Sequence, residues 1–284
     1  MKFAFIADHR EEYPITTMCR VLGVSTRGFY AWQGRPVCER QQANQRLLAE
    51  ILAIHARSRK TYGSPRIHAE LRAQGLLCSR GRVARLMQLN GVVARRRKRY
   101  KVTTRVDAQS PVAPNGLNRE FTAERPNAKW LADITYLDTY EGWLYLAAVL
   151  DVYSRRIVGW SMHTRLTTDL VEDALRMALG QRLRAGDLLH HSNRGSQYTS
   201  GDYQTLLAQA QITPSMSGTG NCYDHAMMES FFATLKTECA DHRFATRAEA
   251  RRAIFEFIEV WSNRQRRHSA LNYLTPAAFE ALPC

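Results

Sequence analysis

Residues 130–163 read W-L-A-D-I-T-Y-L-D-T-Y-E-G-W-L-Y-L-A-A-V-L-D-V-Y-S-R-R-I-V-G-W-S-M-H. β-branched and aromatic residues dominate, and Gly142 marks a turn. The pattern predicts strands over residues 130–139, 143–152 and 156–163, the first two forming a hairpin. Downstream, the apolar spacing predicts a helix over 168–183, a short strand over 187–192, a helix over 200–211 and a strand over 212–216. Helices are expected over 227–239, 247–266 and 276–282.

The order β-β-β-α-β-α-β-α is that of the ribonuclease-H-like fold. Upstream of it the chain changes character. Residues 110–118, S-P-V-A-P-N-G-L-N, are turn and breaker residues, and they predict a linker over 106–126. Before the linker the reading is helical. Short amphipathic segments at 15–22 and 25–32 join at Gly23, and Ser25 is placed to cap the second. This is a helix-turn-helix pattern. A longer helix is expected over 44–56. Residues 65–74 and 79–89 read as a second helical pair, with Pro65 opening one and Ser79 capping the other. The expected organisation is a helix-turn-helix segment over 1–40, a second, basic helix-turn-helix-like domain over 41–105, the linker, and an α/β core over 127–284.

The chain has 284 residues and a formal net charge of +14. Residues 1–126 hold 24 Lys and Arg against 9 Asp and Glu, whereas residues 127–284 hold 16 against 17. The excess therefore sits in the helical part. Such a surface favours a polyanion, because each phosphate neutralised releases condensed counterions. Thr26 and Arg27 open one expected recognition helix. Arg80, Arg82 and Arg85 lie on another. Arg95, Arg96, Arg97, Lys98, Arg99 and Lys101 form a basic run suited to following phosphates, with Tyr100 able to add stacking. No run of about 18 apolar residues is present, so no membrane span is expected. The first ten residues gain charge too quickly for a signal peptide. The six cysteines contain no C-x-x-C pair and are expected as free thiols.

Three polar residues carry the chemistry. Asp133 lies inside the first strand, Asn193 just beyond the strand at 187–192, and Glu229 in the first turns of a helix. Thirty-five residues separate Asn193 from Glu229. With Asp at 193, the set would match the D…D-35-E arrangement of DNA transposases and retroviral integrases. Three carboxylates there hold two hard divalent cations against a phosphodiester. An Asn keeps one carbonyl oxygen but brings no negative charge. Lys236, two helical turns after Glu229, shares its face and could hold a phosphate.

The segments W-L-A-D-I-T-Y, L-D-V-Y-S-R-R-I-V-G-W, H-H-S-N-R-G-S-Q-Y-T-S and M-M-E-S-F-F-A-T-L-K-T-E resemble the second-frame product of insertion-sequence transposases made by translational frameshifting. So do W-S-N-R-Q-R-R-H-S-A-L-N-Y-L-T-P-A-A-F-E and, near the N-terminus, M-C-R-V-L-G-V-S-T-R-G-F-Y-A-W and T-Y-G-S-P-R-I-H-A-E-L. The resemblance spans nearly the whole chain. It implies an integrase core with metal-binding positions at Asp133, Asn193 and Glu229, and Mg²⁺ as cofactor with Mn²⁺ as substitute. The implied reaction is cleavage and strand transfer at the terminal inverted repeats of a bacterial mobile element. The implied partners are that duplex, target DNA, at least one further copy of the chain, and the first-frame protein of the same element. The implied location is the cytoplasm, at the nucleoid. Asn193 departs from the family's Asp, which predicts binding without chemistry. His225 is a lesser departure, since Asn is common there.

Two other readings compete. Cys222-x-x-His225 and Cys239-x-x-His242 have the look of zinc half-sites. A helix of 13 residues between them would hold them roughly 20 Å apart, so no zinc is expected. A DNA-binding regulator using an inactive core for dimerisation would also suit the helix-turn-helix segments and Asn193. A plain ribonuclease-H-like nuclease would leave residues 1–105 without a purpose.

Overall fold

The computed structural model describes residues 1–35, 38–95, 113–182, 187–217 and 222–282. The chain divides into two compact units, Met1–Ala53 and Ile54–Cys284.

The first unit is helical. It contains α1 (Lys2–Asp8), α2 (Ile15–Leu22), α3 (Thr26–Gln33) and most of α4 (Glu39–Arg57). The expected turn is present between α2 and α3, and the Ser25 hydroxyl accepts from Gly28 N at 3.0 Å, capping α3. Ile6, Met18, Cys19 and Phe29 form the buried centre, with Phe3, Ile15 and Leu22 packed around them. Helix α1 lies outside the sequence expectation. Its place is set by Ile6, which is fully buried against residues distant in sequence.

The second unit begins with the rest of α4, then α5 (Ser64–Ala73) and α6 (Arg80–Leu89). Pro65 lies in the first turn of α5, and Ser79 Oγ caps α6 by accepting from Arg82 N at 3.2 Å. The sheet follows. Strand β1 (Lys129–Leu137) pairs antiparallel with β2 (Leu144–Asp151), and β2 with β3 (Ile157–His163). After α7 (Thr168–Gln181), β4 (Leu188–Ser192) pairs parallel with β1. Two helices, α8 (Ser196–Thr199) and α9 (Gly201–Gln209), lead to β5 (Ile212–Met216), parallel to β4. The order β3-β2-β1-β4-β5 makes a ribonuclease-H-like mixed sheet. β2 is buried along almost its whole length, as a strand near the middle of a covered sheet must be.

One face of the sheet packs on α7 and α9 through Trp130, Ala132, Val149, Leu170, Ala174 and Leu206. Gly159 makes the closest approach. A Cβ there would lie 2.2 Å from the Ala174 carbonyl oxygen, so only glycine lets α7 lie down on β3. Beyond β5 come α10 (Ala226–Glu238), α11 (Arg247–Phe255) and α12 (Pro276–Glu280). The helix expected over 247–266 continues past α11 as a π-helical stretch, Glu256–Ser262. The wider turn buries Phe257, Ile258, Trp261 and Ser262 together.

Residues 54–95 belong to this same unit and are tied to its C-terminal helices. Arg267 N donates to Tyr62 Oη at 2.7 Å, Arg66 Nε to the Arg267 carbonyl at 3.1 Å, and Arg267 pairs with Glu70. Arg95 donates to Asp241 at 2.6 Å, just past the end of α10. Among the described residues, no helix is long and apolar enough to cross a membrane.

Candidate active site

Strand register brings the first two candidate residues together. In the parallel β1–β4 pair, Leu131 lies opposite His191. Two residues further along come Asp133, in the middle of β1, and Asn193, just past the C-terminal end of β4, where α/β sheets hold ligands. Both are half-buried. Asn193 Nδ2 donates to Asp133 Oδ1 at 3.0 Å, and Gly195 N donates to Asn193 Oδ1 at 2.8 Å. The second bond fixes the amide. An N–H can meet only the carbonyl side, so the NH₂ side must face Asp133.

Glu229 lies in the first turn of α10, which packs on β1, and is exposed. Its charge reaches Asp133. Burial, and then the charge of Glu229, push the Asp133 carboxyl up to about 7, against the hydrogen bonds from Ile134 N and Asn193. Two carboxylates are thus brought within electrostatic reach of each other, and an amide fills the third position.

This donor set does not fit a pair of Mg²⁺ ions. A cation beside Asp133 Oδ1 would meet the Asn193 N–H, a donor where a ligand oxygen is needed. Turning the amide would lose both of its hydrogen bonds. Asn193 instead does locally what a cation would do, by placing positive hydrogen against the carboxylate.

The remaining candidates lie on several elements. Lys236 is half-buried on α10, with Nζ 4.6 Å from the centre of the Tyr136 ring. Burial lowers its pKa. Thr26 and Arg27 open α3, and Arg80, Arg82 and Arg85 lie on α6. Arg27, Arg80 and Arg85 are exposed. Arg95 is exposed but paired with Asp241. Arg96, Arg97, Lys98, Arg99 and Lys101 lie outside the described residues.

Several residues, His225 alone among them singled out from the sequence, form hydrogen bonds beside the end of β5 and the start of α10. His191 Nδ1 pairs with Ser215 Oγ at 2.9 Å, and the Ser217 hydroxyl with His225 Nε2 at 2.5 Å. Asn115 donates to Asp224 at 2.9 Å. Burial and the neighbouring His225 lower His191 to about 4, so the ring is neutral at ordinary pH. Tyr198 is buried beneath the site, close enough for the Asp133 charge to raise its pKa further. The signal for the His–Ser layer was the H-H doublet directly before Ser192 and Asn193.

Three family models match the chain: an integrase core domain over residues 123–222, an HTH-like domain over 42–100, and a second integrase core domain over 210–276. The insertion element IS600 uncharacterized 31 kDa protein of Shigella sonnei is 46% identical over 263 residues, covering 92% of this chain and 97% of that protein. Transposase InsF for insertion sequence IS3A of Escherichia coli (strain K12) is 44% identical over 283 residues, covering 99% and 98%. Among solved structures, a simian T-cell lymphotropic virus intasome chain aligns with a TM-score of 0.48 and 14% identity, over 82% of this chain and 75% of that one. The HTLV-2 integrase catalytic core domain in complex with magnesium aligns at 0.43 and 15%, over 56% and 99%.

Proposed function

The chain belongs to the transposase family of IS3-type insertion sequences, and on that premise we propose that it binds the terminal inverted repeats of its element as duplex DNA but does not cut them. The observation that carries the reading is the hydrogen bond from Asn193 Nδ2 to Asp133 Oδ1. It puts a donor where metal-dependent cleavage and strand transfer need an anionic oxygen. Asp133, Asn193 and Glu229 are the metal positions of the proposal, and Mg²⁺, or Mn²⁺ in its place, is the cofactor that an acidic residue at 193 would restore.

DNA binding is assigned to the basic helical part. Thr26 and Arg27 on α3, and Arg80, Arg82 and Arg85 on α6, are the proposed groove contacts. Arg96, Arg97, Lys98, Arg99 and Lys101 are the proposed phosphate contacts, Arg95 being held by Asp241 in the unbound chain, with Lys236 nearer the chemistry. The partners are element ends, target DNA and a second copy of the chain, since joining two ends requires at least two protomers. The first-frame protein is a further partner, and the bacterial cytoplasm is the site of action. The domain boundaries at 40, 105 and 126 belong to the same proposal.

The test is Asn193→Asp. An Asp at this position would keep one oxygen on Gly195 N and turn the other toward Asp133. Two carboxylate oxygens about 3 Å apart need a shared cation or a proton between them. Strand cleavage and joining on inverted-repeat DNA in Mg²⁺ should rise by several orders of magnitude, with duplex affinity nearly unchanged. Asp133→Ala or Glu229→Ala in that background should abolish the gain. Asn193 itself also favours a second reading, a regulator that uses the core only for dimerisation. That reading predicts an Asn193→Asp protein that stays inert. Full activity of the Asn193 chain would overturn both.

A further inference from the structure

Beside the candidate site stands a group of exposed aromatic rings that the chemistry above does not use. The end of β1 and the turn into β2 carry Tyr136, Tyr140 and Trp143, with relative exposures of 44%, 71% and 48%. Large rings are expensive to leave in water, and three within eight residues form a patch rather than a scatter. Tyr136 and Trp143 meet edge-on, with ring centres 5.0 Å apart. Cations are interleaved with them. Lys236 Nζ lies 4.6 Å from the Tyr136 ring, and the Arg243 guanidinium 4.5 Å from that of Tyr140.

The support is rigid. Tyr140 N donates to the Phe244 carbonyl at 3.0 Å, and Phe244 N to that of Asp138 at 3.1 Å, so the turn is stitched to the loop after α10. Thr139 is fully buried beneath it, accepting from Glu141 N and donating to the Gly142 carbonyl. Gly142 turns the chain at φ +100°, and a Cβ there would lie 3.0 Å from Arg247 Nη2. The backbone that carries the rings is therefore held in place before any ligand arrives.

Location selects the ligand. Tyr136 is three residues, roughly 10 Å, beyond Asp133 along the same strand, and although the strand's alternation turns the two side chains to different faces, its ring is reached by Lys236, two turns beyond Glu229 on the same helix. We propose that this aromatic and cationic turn is a stacking platform for unpaired nucleotides of a DNA strand whose phosphodiester lies at the site. Rings offer their faces to any base, while Lys236 suits a phosphate between bases; Arg243 is paired with Asp138 at 3.0 Å and steadies the Tyr140 ring. Duplex DNA hides its base faces and has little use for such a surface, so the platform selects ends that are frayed or already single-stranded. This deepens the reading of the chain as a DNA-binding transposase and rests on it.

The experiment uses the full chain, without metal, and two fluorescent DNAs: a blunt duplex, and the same duplex with a short unpaired 3′ tail carrying 2-aminopurine. Stacking on an aromatic ring quenches that base. The wild-type chain should hold the tailed duplex about 10-fold more tightly than the blunt one and quench the probe. Trp143→Ala and Tyr136→Ala should each remove most of the preference and the quenching, while Trp143→Phe and Tyr136→Phe retain them. Tyr140→Ala, at the most exposed ring, gives the same readout where packing is least disturbed. Equal affinity for the two DNAs, or quenching that survives the alanine changes, would overturn the platform. Loss of blunt-duplex binding in the wild type would instead overturn the assignment of duplex binding to the helical part, so the two failures are distinguishable.

Discussion

Helix α10 carries two glutamates whose surroundings are opposites. Glu229, in the first turn, is exposed, and its charge presses on Asp133. Glu238, at the last residue, is 6% exposed and enclosed by partners. Arg266 reaches it with Nε at 3.0 Å and Nη2 at 2.9 Å, and Trp261 Nε1 donates at 2.7 Å. The two lie about 14 Å apart along the axis. Near one, the fold brings two carboxylates within reach of each other and, among the described residues, sets an amide N–H against them. At the other, it supplies an arginine fork that satisfies the carboxylate completely. A carboxylate meant to hold the fold together is given its counter-charge by the chain. Glu229 is given no such fork by the described residues. Arg59 strengthens the structural end, donating to the Glu238 carbonyl at 3.5 Å and lying 5.8 Å from the ring centres of both Phe257 and Trp261.

The sharpest way to break this comparison is to remove the arginine. Arg266→Met leaves a buried carboxylate with no cation and should cost about 3–5 kcal/mol in urea unfolding. Adding Glu238→Leu should recover most of the loss, because an apolar pair has no charge to desolvate. If Arg266→Met costs no more than removing a half-exposed pair such as Arg57–Glu70, then Glu238 is no better neutralised than Glu229, and the contrast fails.

The opposite end makes the opposite prediction. The folded Asp133 carboxyl sits at about 7 against 3.8 unfolded. The folded state therefore holds more protons between those values, and stability falls as pH rises through the window. The contribution is intact below about pH 4 and lost above about pH 7. Asp133→Asn removes the titrating group, so it should stabilise the metal-free chain by roughly 2–3 kcal/mol at pH 8, with the gain vanishing near pH 4. Glu229→Gln should move the window down by a smaller amount, since burial is the leading cause. Thermal melts across pH measure both. A gain for Asp133→Asn that does not change with pH would remove the account of a charge-deficient site.

The sequence carried most of the architecture because its signals are local. Residues 130–163 announced three strands, and Ser25, Ser79 and Pro65 announced helix starts. That Asp133 and Asn193 would meet was legible only from the 35-residue spacing, the strand and helix context and the flanking motifs taken together. What escaped depends on partners far along the chain. Helix α1 exists because Ile6 finds Met18 and Phe29, not because K-F-A-F-I-A-D is a strong helix. The direction of the Asn193 amide is set by one backbone N–H, that of Gly195, which no spacing reveals. Glu238 looks like any surface acid until Arg266 and Trp261 fold over it. The same applies to charge. Arg57, Arg59, Arg66 and Arg95 all counted toward a basic, phosphate-seeking segment. In the structure Arg57 pairs with Glu70, Arg59 with Glu256 and Arg95 with Asp241, while Arg66 donates to the Arg267 carbonyl. Composition counts charges without saying which are already answered.

Arg95 tests that last point at the smallest scale. It opens the basic run R-R-R-K-R-Y-K, yet its guanidinium lies 2.6 Å from Asp241 and 3.5 Å from the Thr237 carbonyl at the C-terminal end of α10. Carbonyls at a helix end and a carboxylate together make a favourable seat for a cation. The pair is partly exposed, so its worth to stability is at most about 1 kcal/mol. It is enough to occupy the side chain. A free arginine on a phosphate contributes about 0.9 to the slope of log affinity against log salt. Arg95→Ala should change that slope by much less and weaken duplex binding by no more than about 3-fold, the equivalent of under 1 kcal/mol. Asp241→Asn should do the reverse, releasing the arginine and steepening the slope. If Arg95→Ala instead costs a full phosphate contact, the pair opens on DNA. The C-terminal end of α10 would then surrender a cation to the ligand, and the division between the two ends of the helix would hold only for the unbound protein.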